Sequence, residues 1–213
     1  MNAFLRLLFF VLIVRPLVLI VLGMNVRNLN RLPQDGPAII VANHNSHLDT
    51  LILMSLFPLR LLHKIRPVAA EDYFLRNRLL GWFALNVIRI IPIKRGDAAP
   101  MEQKLKNALE AIAEDNIIIL FPEGTRGEPE RLSKFKSGVA CLAEKNQELP
   151  VVPIFIHGAG QALPKGDWLL VPFFCDVFIG EQLDWPGDKE SFMDQLDFRM
   201  KSLAAEGRFP AWE

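Results

Sequence analysis

The chain has 213 residues, with 24 Lys+Arg against 24 Asp+Glu. A formal charge of zero excludes the basic excess of a general nucleic-acid binder. Hydrophobic residues make up 51% and the mean hydropathy is +0.21, which excludes a disordered chain and is high for an ordinary soluble surface.

Residues Ala3 to Met24 are apolar apart from Arg6, Arg15, Pro16 and Gly23, about the length a bilayer-spanning helix needs. Arg15 is costly in mid-membrane and Pro16 disrupts a helix interior. These two residues favour a broken or hairpin-like insertion in one leaflet, or a tilted helix at the interface, over a clean span. A cleaved signal and a buried core helix are the other readings. Residues 1–30 are therefore expected to be a membrane-anchoring segment, followed by one domain over 31–213. Arg27 and Arg31 just after the segment place that domain on the cytoplasmic face, which in a bacterium is the face of the inner membrane.

Beyond it, short apolar runs alternate with amphipathic stretches. Strands are expected at Ala38–Ala42, Pro67–Ala70, Arg89–Ile93, Asn116–Phe121, Val151–Ile156 and Phe173–Ile179. Helices are expected at Leu48–Leu56, Phe74–Val87, Met101–Glu114, Phe135–Lys145 and Phe192–Ala205. This alternation predicts an α/β fold: a layered, largely parallel or mixed sheet flanked by helices. Cys141 and Cys175 have neither metal spacing nor a disulfide framework.

Two constellations carry chemistry. After the first strand comes Asn43-His44-Asn45-Ser46-His47-Leu48-Asp49. In a regular helix His44 and Asp49 would diverge by about 140°. They meet if His44 lies in the turn and Asp49 in the first helical turn, with Asn45 or Ser46 as N-cap. Asp49 then holds one ring nitrogen, and the other is left to take a proton from a hydroxyl. Helix capping alone is the plainer reading of this pair, and a metal set of His44, His47 and Asp49 is a further one. The second constellation is Phe121-Pro122-Glu123-Gly124-Thr125-Arg126, directly after a buried strand. Such a loop is where α/β folds bind ligands. Gly124 permits close backbone approach, and the Arg126 fork suits phosphate oxygens. A surface ion pair is the alternative. Lys134 and Lys136 add cations before a helix, or simply a solvated face.

Together these blocks resemble the glycerolipid acyltransferase family, in its lysophosphatidic acid (1-acylglycerol-3-phosphate O-) acyltransferase branch. The Asn-His-x4-Asp block is Asn43, His44 and Asp49, and the Phe-Pro-Glu-Gly-Thr-Arg block is Phe121 to Arg126. Ile91-Pro92-Ile93-Lys94-Arg95 stands for the second block, with Pro92 and Lys94 departing from its usual residues. Val151-Val152-Pro153-Ile154 stands for the fourth, and Phe135, Lys136 and Gly138 for the Phe-Lys-x-Gly element. Gly127 replaces the usual serine.

The resemblance implies a membrane-associated enzyme, its catalytic domain over 31–213. It would move a fatty acyl group from acyl-CoA or acyl-carrier protein to a lysophospholipid hydroxyl. His44 and Asp49 would be catalytic. Arg126, Arg95 and Lys136 would bind the acceptor phosphate, while Glu123, Gly124, Thr125 and Pro153 would shape the site. It implies no metal and no cofactor beyond the acyl donor, membrane lipid as partner, and no nucleic acid. Another lysolipid acceptor, such as lysophosphatidylethanolamine or a lyso-ornithine lipid, a non-catalytic lipid-binding module, and a thioesterase are the rival readings.

Overall fold

The computed structural model describes residues 2–74, 77–94, 100–128, 131–163, 171, 173–207 and 209. Seven strands form one sheet: β1 (Asn25–Arg27), β2 (Ala38–Ala42), β3 (Ile65–Ala70), β4 (Ile91–Ile93), β5 (Ile117–Leu120), β6 (Val151–His157) and β7 (Asp176–Ile179). Their order is β1-β7-β6-β2-β5-β3-β4. Every pairing is parallel except β6 with β7. The sheet is thus mixed with a parallel centre, as the alternation predicts.

The central strands read as unbroken apolar runs because both faces are covered. Successive side chains of β2 go to opposite cores. Ala38, Ile40 and Ala42 join one cluster, with the N-terminal helix and the helix Leu48–Leu56. Ile39 and Val41 join the other, with the helices Lys106–Ala113, Gly138–Lys145 and Lys189–Glu206.

The N-terminal segment is one continuous helix, Asn2–Val21, and not a hairpin. Its inward stripe is Arg6, Phe10, Val14, Val18 and Leu22, every fourth residue, all buried. An α-helix advances about 400° in four residues, so this stripe would drift around it. The looser i→i+5 turns at Phe10–Val14 and Leu17–Val21 hold it on one side. They also flank Pro16, which has no N–H to give the ladder. Arg15 turns back to donate from Nη2 to the Phe57 carbonyl (3.3 Å). The outward stripe stays apolar: Phe4 is 64% exposed, Leu12 65% and Ile20 78%.

No packing boundary falls at residue 30. The helix shares a core with β2, and β1 pairs with β7. The two arginines read as topological signals also serve the sheet edge. Arg27 lies over the Phe178 ring at 4.8 Å, and Arg31 donates to the Ile179 carbonyl at 3.1 Å.

Candidate active site

The parallel strands β2, β3, β4 and β5 all point their C-terminal ends the same way, so the loops after them converge. Asn43 clamps the end of β2 to β6: its side chain donates to the Ile156 carbonyl (2.8 Å) and accepts the Ile156 N–H (2.7 Å). The chain then turns through His44 to Ser46 and enters the helix Leu48–Leu56, with His47 at its N-cap. Asn45 and Ser46 do not cap that helix as expected, though the Ser46 hydroxyl accepts the Leu48 N–H at 3.3 Å.

His44 and Asp49 meet. Nδ1 of His44 is 3.0 Å from Oδ2 of Asp49. The same oxygen accepts the backbone N–H groups of Asn45 (2.7 Å) and Ser46 (2.8 Å). Asp49 is 1% exposed and lies in the first turn of its helix, where the helix dipole favours a negative charge. Three donors on one oxygen fix the carboxylate in place, and its contact with Nδ1 assigns the ring hydrogen to Nδ1 and leaves Nε2 as the acceptor nitrogen. The imidazole stacks on Phe121 at 4.1 Å, which sets its plane.

The third block is tied to the first by backbone. His44 donates its N–H to Oε1 of Glu123 (3.1 Å), and Gly127 donates its N–H to the His44 carbonyl (2.8 Å). Glu123 is buried. Burial raises its carboxyl above the usual range, partly offset by the bonds from His44 and Ser133. Gly124 has φ +72°, and a Cβ there would stand 2.7 Å from Nζ of Lys136. Glycine therefore serves both the backbone conformation and the approach of that lysine.

Arg126 and Lys136 line one cleft with His44, Gly124 and Thr125. Its volume is about 620 Å³, and its far wall is apolar, including Phe9, Leu51, Phe74, Phe83 and Ile88. Pro153 is not among the lining residues. It lies inside β6 opposite Val41, with Gly180 and Leu203 beside it. Arg95 lies outside the described residues. Lys134 is exposed and does not line the cleft.

Sequence reasoning gave no cleft role to Lys94, Lys104 or Tyr73, and weighed His47 only as a metal ligand. Lys94 and Lys104 bring two more cations to the cleft. Tyr73 sits under Arg126, whose Cζ is 5.7 Å from the ring centroid, and its hydroxyl is 3.0 Å from Nε2 of His47. Burial, then the charges of Arg126 and His44, hold the His47 imidazole below its ordinary value. Among the described residues, no three His, Cys, Asp or Glu side chains come together as a metal set.

A family model described as Acyltransferase matches residues 23–157. A chloroplastic 1-acyl-sn-glycerol-3-phosphate acyltransferase of Brassica napus is 33% identical over 143 residues, covering 67% of this chain and 39% of that protein. A 1-acyl-sn-glycerol-3-phosphate acyltransferase of Pseudomonas aeruginosa is 32% identical over 183 residues, covering 85% of this chain and 67% of that protein. The chain thus spans well under half the length of the plant relative. In fold it is similar to the crystal structure of the 1-acyl-sn-glycerophosphate (LPA) acyltransferase PlsC from Thermotoga maritima. The TM-score is 0.72 at 23% identity, covering 89% of this chain and 74% of that one.

Proposed function

The chain belongs to the acyltransferase family, and from that premise we propose that it transfers a fatty acyl group from an acyl thioester to the free hydroxyl of 1-acylglycerol 3-phosphate. The product is phosphatidic acid, and the donor is acyl-CoA or acyl-carrier protein. The observation that carries this reading is the His44–Asp49 pair at the head of a cleft that is cationic near the base and apolar beyond it. A lysolipid phosphate and an acyl chain need those two surfaces side by side.

In this scheme Nε2 of His44 takes the proton of the acceptor hydroxyl as its oxygen attacks the thioester carbonyl. Asp49 stabilises the imidazolium and holds its tautomer. The C–S bond then breaks, and the thiolate takes the proton back from His44, so ester and thiol leave and the enzyme is unchanged. Attack is direct, with no protein nucleophile. Arg126, in its Gly124-containing loop, and Lys136 bind the acceptor phosphate; Lys94 and Lys104 add to the positive field. No metal or redox group enters the scheme.

The same reading includes membrane association. The outward stripe of the helix Asn2–Val21 is apolar while its inward stripe is committed to the sheet, so the segment fits a helix lying in one leaflet better than a free span. Phe9 and Phe83 close the apolar wall of the cleft beside that helix, in edge contact at 5.0 Å. A lipid tail could then pass from leaflet to cleft without entering water.

The test is a panel assay of the purified protein with several lysolipids and both donor types. Turnover strongly favouring 1-acylglycerol 3-phosphate is expected. Preference for a zwitterionic lysolipid would move the acceptor assignment, and no transfer to any lysolipid would end the reading.

A further inference from the structure

The inward stripe of the N-terminal helix contains one charge. Arg6 is 4% exposed, at the position one turn before Phe10. It donates from Nη2 to the Ile65 carbonyl at 3.1 Å, while its buried Nε and Nη1 meet no acceptor. A buried guanidinium so poorly satisfied is costly in a core site. Two further arginines stand with it. Arg66, at the start of β3, donates from Nε to the Arg89 carbonyl (3.0 Å). Arg89 holds the His63 carbonyl and takes a left-handed backbone conformation, φ 64°, just before β4.

All three guanidiniums are therefore held by neutral carbonyls of two neighbouring chain segments. Among the described residues none of them forms an ion pair, although Glu114 acts on Arg66 from further away. Burial, then Arg89 and Arg66, pull the Arg6 guanidinium down to about 9, and burial, then Arg89, lowers that of Arg66. Concentrated positive charge with only a distant carboxylate opposes folding, and a bound anion would offset it.

The position indicates which anion. The cluster lies at the beginnings of β3 and β4, whereas the catalytic loops follow the ends of the parallel strands β2 and β5. It borders the helix Asn2–Val21 and the helix Arg78–Phe83 with its continuation to Ile88. Asn2 bonds Asn86 across them at 2.8 Å. Phe4, Leu79, Trp82 and Leu85 are exposed on those two helices. Arginines flanking an exposed apolar surface with a tryptophan match the headgroup level of an anionic leaflet.

We propose that Arg6, Arg66 and Arg89 form a second anion site, distinct from the catalytic cleft, that takes the phosphate of an anionic phospholipid in the membrane on which the N-terminal helix lies. The site would fix the tilt of the helix pair and select anionic membranes. It rests on the membrane association proposed above but not on acyl transfer.

The test uses the full chain in a vesicle flotation assay, comparing neutral phosphatidylcholine with vesicles rich in phosphatidylglycerol. The variant is Arg66→Gln/Arg89→Gln, which spares the buried Arg6. The control is Lys106→Gln/Lys201→Gln, two exposed lysines remote from the cluster in sequence and each paired with a carboxylate. Each basic group near an anionic surface is worth roughly fivefold, so the preference for anionic vesicles should drop about twentyfold in the arginine variant. It should hold in the control, and transfer from detergent-dispersed substrate should be unchanged. A retained preference, or an equal loss in the control, would overturn the site. A second arm measures melting temperature with inorganic phosphate. A rise absent from the arginine variant, without any vesicle preference, would overturn the lipid source in favour of a soluble phosphate.

Discussion

The backbone N–H of His44 donates to Oε1 of Glu123 at 3.1 Å, joining the loop after β2 to the loop after β5. His44 is thereby placed by a carboxylate 79 residues away in the chain. Gly127 closes the pair from the other side through the His44 carbonyl. The two conspicuous motifs are thus one structural unit, and Glu123 holds His44 through its backbone.

Glu123 makes that unit pH-sensitive. Its carboxyl is raised by burial above an unfolded value of about 4.5. The raised group favours the folded state fully below that value, and the advantage is lost as pH rises through the folded pKa. Glu123→Gln keeps an acceptor for the His44 N–H and removes the buried charge. The variant should melt at or above the wild-type temperature near neutral pH, with the gap closing in acid. A gap that widens in acid would contradict this.

Arg126 is expected to act on the acceptor. Arg126→Ala should raise the KM for the lysophospholipid at least tenfold, the scale of a lost charge-assisted hydrogen bond, and leave the KM for the thioester nearly unchanged. Arg126→Lys should rescue only in part, because the planar fork is lost. An equal rise for both substrates would reverse the assignment.

Tyr73 should tune the same arginine. Tyr73→Phe keeps the ring beneath the guanidinium, and Tyr73→Leu removes it. A cation–π contact at a partly exposed site is worth about 0.5–1 kcal/mol. Tyr73→Leu should therefore raise the acceptor KM by roughly two- to fivefold, while Tyr73→Phe stays near wild type. Equal effects of the two variants would show that the hydroxyl on His47, and not the ring, carries the role.

The N-terminal helix should separate into two functions. Deleting residues 1–24 removes Phe10, Val14, Val18 and Leu22 from the core. Large-to-small loss of one such group typically costs 2–5 kcal/mol, so the truncated chain should unfold or aggregate. Phe4→Gln/Leu12→Gln/Ile20→Gln changes only the outward stripe. That variant should melt near wild type and leave the membrane fraction in carbonate-washed fractionation. A folded, soluble truncation would show that the inward stripe is dispensable.

How much of this was legible in the sequence follows from local pattern strength. The strand Ala38–Ala42 and the helix Leu48–Leu56 appear with the expected bounds, because an unbroken apolar run and an apolar helix entered from a polar turn have few alternatives. β1 was missed: Asn25-Val26-Arg27 is three residues at a sheet edge, recruited by pairing with β7 and carrying no period of its own. The expected helix Phe74–Val87 instead shows one helical turn, Glu71–Phe74, and a second helix from Arg78, whose first N–H groups bond the Asn77 side chain. That change of register hid Tyr73. The helix Gly138–Lys145 begins three residues later than expected, so Lys136 reaches the cleft from a loop and not from a helix end. His44 and Asp49 were legible because their whole geometry is local. Lys104 and Pro153 were not readable as in or out of the cleft, since that depends on which face of a distant element meets it.

The proposed chemistry turns on His44. Acyl transfer from a labelled thioester to 1-acylglycerol 3-phosphate should be measured for the wild type and His44→Ala side by side, with thermal melting of both. Removal of a general base typically costs about 10²–10⁴-fold, so turnover should fall by at least about 100-fold while the melting temperature stays close to wild type. Turnover within about threefold of wild type in a folded His44→Ala protein would contradict the assignment of His44 as the base.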